Sequence, residues 1–268
     1  MFAALAGALA LAGAAAPLLT SEELRRVPAP EATQGVAVDA AHVYAVANST
    51  IAKYDKTTGE RLAAWSGDPA TFPHLNSCGV VGAELVCASS NYPKTPMTST
   101  VEVFDPARMV HLRSIPLGHG HGSLTWVERR DGFWWACFAN YDGRGGEPGR
   151  DHSFTTLVKY DDAWREVRTW RFPETVLARF APSSSSGGAF GPDGRLYVTG
   201  HDRPELYVLT IPDDGEVLVH VATVAVPMEG QAIAWDALQA GVLWGISRAG
   251  RQLVATRVPA IASDRETP

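Results

Sequence analysis

Short apolar stretches separated by turns run along the whole sequence, and one pattern of them recurs five times. Each copy begins with a polar or small residue, continues through an apolar strand, and ends at a turn. The copies lie at Thr33–Asp39, Asn76–Val81, Gly122–Val127, Ser186–Gly194 and Gly230–Asp236. A β unit that recurs about every 40 to 60 residues is typical of a β-propeller, in which each repeat supplies one blade.

Each copy is followed by three further strand-like segments, except the last copy, which is followed by two. We therefore predict an all-β fold, a five-bladed β-propeller closed by an N-terminal strand, Leu24–Val27, that completes the last blade. Closure of this kind removes the exposed sheet edges of a linear array. The insertion at 174–185 is predicted to hold one helical turn at Thr175–Phe180. The alternative is six blades, with a degenerate blade inside that insertion.

The composition divides the chain into one propeller domain, 23–259, and two short ends. Residues 1–16 form an apolar Ala/Leu/Gly run ending in small residues, which favours a secretory signal peptide over a buried helix. Residues 260–268 are predicted to be a disordered tail. We expect a secreted or periplasmic monomer with no integral membrane span. The net charge of −6 argues against nucleic acid as a partner.

Two of the three cysteines are expected to face each other on neighbouring strands. A Gly82-Ala83 turn pairs Val81 with Glu84, and counting outward places Cys78 opposite Cys87. These two residues form either a cross-strand disulfide, which an oxidising compartment permits, or a pair of small buried thiols. Cys137 lies on an apolar strand and is expected in the core.

The long, irregular and polar loops are predicted to lie on one face of the propeller, and this face is where function is expected. They enter the first strand of each blade or join its second strand to its third. The loops contribute residues such as Asn48, Tyr92 and Arg248. The predicted substrate-binding residues are Gln34, Asn76, Ser123, Asn140, Tyr141, Arg203 and Gln231.

Histidines and carboxylates on the same face allow three interpretations. In the first, a divalent cation (Ca, Zn or Mg) is bound near the axis, with His74, His121, His152 and His201 as predicted ligands. In the second, a metal-free pocket uses a His or Asp as general base, and the predicted catalytic residues are His201, Asp202 and His74. In the third, these groups only solvate the end of the channel.

Two family resemblances accompany this pattern. The sequence Gly35-x-Ala37-x-Asp39, with the Tyr54-Asp55-x-x-Thr58-Gly59 turn, resembles the gluconolactonase/regucalcin-like propellers. That resemblance implies a divalent metal held by Glu, Asn and Asp. Asn140 and Asp202 match in type and loop position, and the early glutamate has no counterpart here. Thr33-Gln34-Gly35 is similar to the Phe-Thr-Gln-Gly opening of glutaminyl-peptide cyclotransferases, which are secreted five-bladed propellers.

The sequence thus predicts an exported propeller that acts on or binds a small molecule or peptide at the end of its channel. An enzyme of this kind is expected to be a hydrolase or lactonase, a cyclotransferase or an isomerase, with a divalent cation under the first interpretation. The alternative is a non-catalytic propeller that binds a ligand or a protein on the same face.

Overall fold

A computed structural model of the protein describes residues 16–262, whose strands form five sheets arranged as the blades of a β-propeller. The five-bladed prediction is confirmed. The six-bladed alternative is wrong, because the insertion at 174–185 forms a helix, α1 (Glu174–Phe180), instead of strands. Val176, Leu177 and Phe180 of this helix are buried against the core between blades 3 and 4.

In blades 1 to 4 the four main strands run from the channel outward in sequence order, whereas the outermost strand of blade 5 comes from the N-terminal part of the chain. Blade 1 consists of Gly35–Val38, His42–Ala47, Thr50–Asp55 and Arg61–Ser66. Blade 2 consists of Leu75–Val81, Glu84–Ser90, Ser99–Asp105 and Val110–Gly118. Blade 3 consists of Ser123–Arg130, Phe133–Ala139, Thr156–Tyr160 and Glu166–Arg171, with a 3-10 turn at His152–Phe154. Blade 4 consists of Gly187–Phe190, Leu196–Thr199, Glu205–Thr210 and Val219–Ala225. Blade 5 consists of Ala234–Trp235, Val242–Ser247, Gln252–Arg257 and Glu22–Pro28.

Two N-terminal strands close the ring. Glu22–Pro28 pairs antiparallel with Gln252–Arg257 and completes blade 5, as the sequence predicts. A second strand, Leu18–Thr20, pairs in parallel with the outer strand of blade 4, placing Leu19 opposite Val224. The sequence pattern does not predict this strand. Together the two strands cover the outer edges of the last two blades, which limits edge-to-edge association.

Close packing between neighbouring blades forms the core. Trp126 is fully buried between blades 3 and 4, and the stacked rings of Trp135 and Trp170 lie 5.5 Å apart in the same cluster. The Trp126 ring packs directly on the backbone of Gly188, where a Cβ would lie only 2.4 Å from the ring. Large buried aromatic side chains such as these contribute strongly to the stability of a domain.

Cys78 and Cys87 are paired as a disulfide across the two inner strands of blade 2, so the first of the two alternatives for these residues is the one observed. Cys137 is buried, and burial raises the pKa of its thiol to about 12. The Arg195 guanidinium donates to the carbonyl oxygens of Ile261 and Ala262, both at 3.0 Å, within the predicted tail. The predicted signal peptide, apart from residue 16, and residues 263–268 of the tail lie outside the described residues.

Within residues 16–262, no helix has the length and apolar character needed to span a bilayer.

Candidate functional site

The main candidate site is a cavity of about 590 Å³, here called the central cavity, at one end of the channel. Residues at or just before the starts of the five innermost strands meet there with residues of the long loops. The lining comprises Gln34, Asn48, His74, Asn76, Tyr92, Thr125, Tyr141, Arg144, Ser183, Ser186, His201, Gln231 and Arg248, together with Pro73, Pro93, Gly143 and Pro182. A volume of this size is typical of small-molecule sites.

The repeat positions reach this cavity in four blades and miss it in one. Gln34, Asn76, Ser186 and Gln231 all line it. Ser123, the equivalent residue of blade 3, is instead fully buried and donates to Ser90 Oγ at 2.8 Å. The register of its strand shifts between Leu124 and Trp126, and the extra residue, Thr125, lines the cavity in its place. A bulge of one residue changes the face on which side chains lie.

His74 is held in one tautomer by a chain of side-chain amides. Gln34 Nε2 donates to Asn48 Oδ1 at 2.8 Å, and His74 Nδ1 lies 2.9 Å from the same oxygen. Because that oxygen accepts, Nδ1 carries the proton and Nε2 carries the lone pair. Burial, and then the nearby charge of Arg248, lowers the pKa of His74 to about 4. The ring is therefore neutral around pH 7.

His201 lies between the carboxylate of Asp202 and the guanidinium of Arg248. Its Nδ1 is 2.6 Å from Asp202 Oδ1, and its Nε2 is 2.9 Å from Arg248 Nη1. A guanidinium can only donate, so His201 Nε2 accepts and Nδ1–H donates to the carboxylate. Through the hydrogen bond at Nε2, His201 orients the Arg248 guanidinium in the cavity wall. The backbone N–H of Arg248 also donates to Glu229 Oε2 at 3.0 Å.

The charge of the lining is positive although the chain as a whole carries −6. Arg144 and Arg248 contribute two guanidinium groups, and no Asp or Glu is among the described residues that line the cavity. Gln231 is 3 % exposed, and its Nε2 has no hydrogen-bond partner within the described residues. Burial raises the pKa of Tyr141 well above its usual range, so its hydroxyl remains a neutral donor. The wall thus combines two cationic donors with neutral ones.

The four predicted metal ligands lie in different places. His74 and His201 line the central cavity. His121 Nε2 lies 3.2 Å from Glu166 Oε2, and its ring packs on Phe138 with centroids 4.9 Å apart. His152 belongs to the one group in residues 16–262 whose ligand atoms are close enough to share an ion, which it forms with two exposed carboxylates, Asp142 and Asp151.

The central cavity is poorly suited to a divalent cation. Both ring nitrogens of His201 and one of His74 already have hydrogen-bond partners, and Arg248 occupies the position from which a metal would approach His201. The described lining offers no carboxylate to balance the charge of an ion. The metal that the gluconolactonase/regucalcin-like resemblance implies therefore does not fit these residues.

Three other predicted residues lie outside the lining. Asn140 is fully buried, and its Nδ2 donates to the carbonyl oxygens of His121 at 2.9 Å and Phe154 at 3.1 Å, which anchors the loops above blade 3. Asp202 contacts the cavity through two lining residues, since its carboxylate accepts from His201 Nδ1 at 2.6 Å and from Ser183 Oγ at 3.3 Å. Arg203 is exposed beside it.

Comparison with known proteins shows the fold and no family. No protein-family model matches the sequence, and no curated protein matches it significantly. A chain of the mitotic checkpoint complex aligns with a TM-score of 0.51 and 11% identity over 97% of this chain and 99% of that one. Hydrazine synthase of Kuenenia stuttgartiensis aligns at 0.50 and 14%, over 85% and 83%. The PQQ-bound aldose sugar dehydrogenase of Streptomyces coelicolor aligns at 0.50 and 12%, over 91% and 83%.

These are all β-propellers. At such identities the likeness shows the fold alone, since unrelated functions share this architecture. The gluconolactonase/regucalcin-like and cyclotransferase resemblances stay predictions.

Several residues of the central cavity were not predicted as site residues from the sequence, notably Arg144, Arg248 and Tyr92. One signal was available for Tyr92, because the loop Asn91-Tyr92 echoes Asn140-Tyr141, and the two tyrosine rings lie 5.2 Å apart. Tyr92 also contacts the ring of His74, at 5.0 Å between centroids. The sequence places Arg248 in a loop of the functional face, but the path of an irregular loop decides where each of the two guanidinium groups lies.

Proposed function

We propose that the protein binds a small molecule in the central cavity through an anionic group, of which a carboxylate is the simplest case. The observation that carries the proposal is the charge of the wall. Two guanidinium groups and two histidines line the cavity, and no carboxylate lines it within the described residues, in a chain whose net charge is −6. A positive cavity in an acidic protein selects for anions.

Arg248 is the residue best placed to hold the anion. Its Nη1 is engaged with His201, which leaves its other N–H groups to a ligand and restricts the rotation of the guanidinium. A preorganised donor loses less conformational entropy on binding. Gln231 Nε2 and the Tyr141 hydroxyl are neutral donors in the same wall.

The binding experiment compares charge variants of one small probe. Calorimetric titration with butyrate, n-butanol and n-butylammonium is expected to show the tightest binding to this cavity for butyrate. Arg248→Gln is expected to weaken butyrate binding about 10- to 100-fold, because hydrogen bonds to charged groups contribute about 1.5–3 kcal/mol. Arg203→Gln is the matched control, since Arg203 lies in a neighbouring loop outside the lining. Equal losses in both variants would contradict the assignment of Arg248.

Catalysis is a second candidate function, which the state of His74 favours. A neutral histidine with a fixed tautomer presents the lone pair of Nε2 as a general base. In a lactonase reaction, Nε2 takes a proton from water as the oxygen attacks the ester carbonyl, and the ring-opened alkoxide is then protonated. In a cyclase reaction, the same nitrogen takes a proton from an attacking amine, and the leaving group departs as ammonia. Arg248 stabilises the developing oxyanion in both reactions.

Turnover assays separate these functions. We expect a panel of lactones, or peptides with N-terminal Gln, to include a substrate whose turnover His74→Gln lowers by at least about 10²-fold, as typical for a general base. Activity is expected above about pH 4 and to be lost as His74 is protonated below it. Ligand binding without turnover of either panel would support the non-catalytic alternative.

We further propose export and a divalent cation, both carried over from the sequence. The leader-like residues 1–16 and the Cys78–Cys87 disulfide support a secreted or periplasmic location. The cation has its best-placed ligands at Asp142, Asp151 and His152. A stoichiometric ion in purified protein is expected to be lost in Asp151→Asn and kept in His201→Gln, and metal analysis that finds no ion would remove the proposal.

A further inference from the structure

The opposite end of the channel holds a second cavity with a different chemistry, here called the opposite cavity. It has a volume of about 170 Å³ and is lined by the ends of the innermost strands, whereas the central cavity is lined by their starts. Its walls combine polar groups with apolar side chains, of which Val127, Phe190 and Ile233 are three. No residue belongs to the lining of both cavities.

Glu128 is the one carboxylate among the described residues of this lining, and it has no cationic partner within 4.0 Å there. Its Oε2 accepts from the backbone N–H of Phe190 at 2.8 Å. Arg129, which also lines the cavity, pairs with Asp162 through Nη2, and its Nη1 has no hydrogen-bond partner within the described residues. Arg130 pairs with Asp131. Glu128 therefore adds a negative charge that the protein does not neutralise by contact.

A second polar group of the lining also lacks a partner. Ser77 is 4 % exposed, and its Oγ has no hydrogen bond within the described residues. A buried hydroxyl without a partner is costly, so such groups usually face a ligand or water. Ser77 and Glu128 belong to the innermost strands of adjacent blades, blades 2 and 3, and line the same cavity.

We propose that the opposite cavity binds a small organic ammonium ion, with the ammonium group donating to Glu128 and the hydrocarbon part packed on the apolar walls. A cation supplies the missing charge partner of Glu128, and a buried ion pair of this kind is favourable only with good hydrogen bonds. The volume has room for about six groups the size of water, which suits a chain of about four or five heavy atoms. This site is independent of the anion bound at the other end.

The pH range of binding follows from the surroundings of Glu128. Burial raises its pKa to about 7, against the smaller effects of the Phe190 N–H and the charge of Arg130. Two other carboxylates follow lining residues and have partners of their own, Asp39 with His42 and Asp236 with Lys56. An ammonium ion binds the ionised form of Glu128, so its affinity is expected to rise between about pH 6 and pH 8.

The test uses n-butylammonium as the probe, with n-butanol and butyrate for comparison, in calorimetric titrations of the full chain. We expect the ammonium to bind at least about 10-fold more tightly than butanol at pH 8. Glu128→Gln, which keeps the shape of the side chain, is expected to remove this preference. Glu60→Gln, in an exposed turn of blade 1, is the matched control, and Arg248→Gln is expected to leave ammonium binding unchanged.

A measurement on the wild-type protein covers the case in which Glu128→Gln does not fold. Near pH 7, binding of the ammonium is expected to release about half a proton, detected as a dependence of the binding enthalpy on the ionisation enthalpy of the buffer. Ammonium binding with no proton release, or binding no tighter than that of butanol, would overturn the proposal. Loss of butyrate binding in Arg248→Gln, with ammonium binding intact, separates this site from the central cavity.

Discussion

Glu128 is expected to make the unfolding free energy fall as pH rises, and replacement by Gln removes this dependence. Burial raises the pKa of Glu128 from 4.5 to about 7 in the folded state. The unfolded chain therefore ionises first, and the folded state holds the extra proton between these two values. Stability from this group is present below pH 4.5, falls between pH 4.5 and about 7, and is constant above that. The glutamine of the Glu128→Gln variant stays neutral and retains an acceptor for the Phe190 N–H.

The magnitude follows from the two pKa values. The rise from 4.5 to about 7 corresponds to about 3 kcal/mol, since each unit of pKa is about 1.4 kcal/mol. Glu128 is partly exposed to the opposite cavity, and contact with water reduces this value to about 2 to 3 kcal/mol. Glu128→Gln is therefore expected to be more stable than the wild type by this amount at pH 8 and by less than about 0.5 kcal/mol at pH 4.5.

Denaturant unfolding of both proteins at pH 4.5, 6 and 8 measures the difference, in which the contributions of all other groups cancel. Glu84→Gln is a control of opposite sign. The hydrogen bonds from Arg113, at 2.6 and 2.8 Å, lower the pKa of Glu84, so its contribution is present at neutral pH and is lost as pH falls. A Glu128→Gln difference that is the same at all three pH values would refute the reasoning.

Two further predictions concern the framework. Gly188→Ala is expected to destabilise the protein by about 1–3 kcal/mol, because the new Cβ would lie 2.4 Å from the Trp126 ring. Gly79→Ala, where the nearest atom is 4.0 Å away, is expected to change stability by less than about 1 kcal/mol, and equal effects in thermal unfolding would contradict this account. Reduction of the Cys78–Cys87 disulfide, which closes a loop with a sequence separation of 9, is expected to cost about 2–3 kcal/mol. Unfolding midpoints that do not change with reductant would count against it.

The fold was predictable because the repeated pattern marks where the strands of each blade begin and end. Each copy ends its apolar strand at a turn, so aligning the copies placed the strands of all five blades, and the proline after Val27 identified the closing strand. The strand Leu18–Thr20 was not predictable, since three residues are too few to show an alternating pattern.

The site was predictable only where the repeat governs it. Gln34, Asn76 and Gln231 lie at repeat positions and do line the central cavity. The prediction that Ser123 lines the cavity is wrong, because a one-residue bulge in its strand cannot be recognised from the sequence pattern. Arg248 was seen as a loop residue, but its role depends on contact with His201, which comes from a different blade. Contacts between loops of different blades are set by the closed ring and have no local sequence signal.

The pairing of the two N-terminal strands has a consequence for how the chain is made. Residues 18–28 leave the ribosome long before their partners, Val219–Ala225 and Gln252–Arg257, are synthesised. All strands of blades 1, 2 and 3 precede those of blade 4 in the chain, so these three blades can fold during translation. Gln252–Arg257 of blade 5 keeps an unpaired edge until Glu22–Pro28 pairs with it. The ring therefore closes only after Gln252–Arg257 has left the ribosome, and any factor that holds residues 18–28 until then controls when it closes.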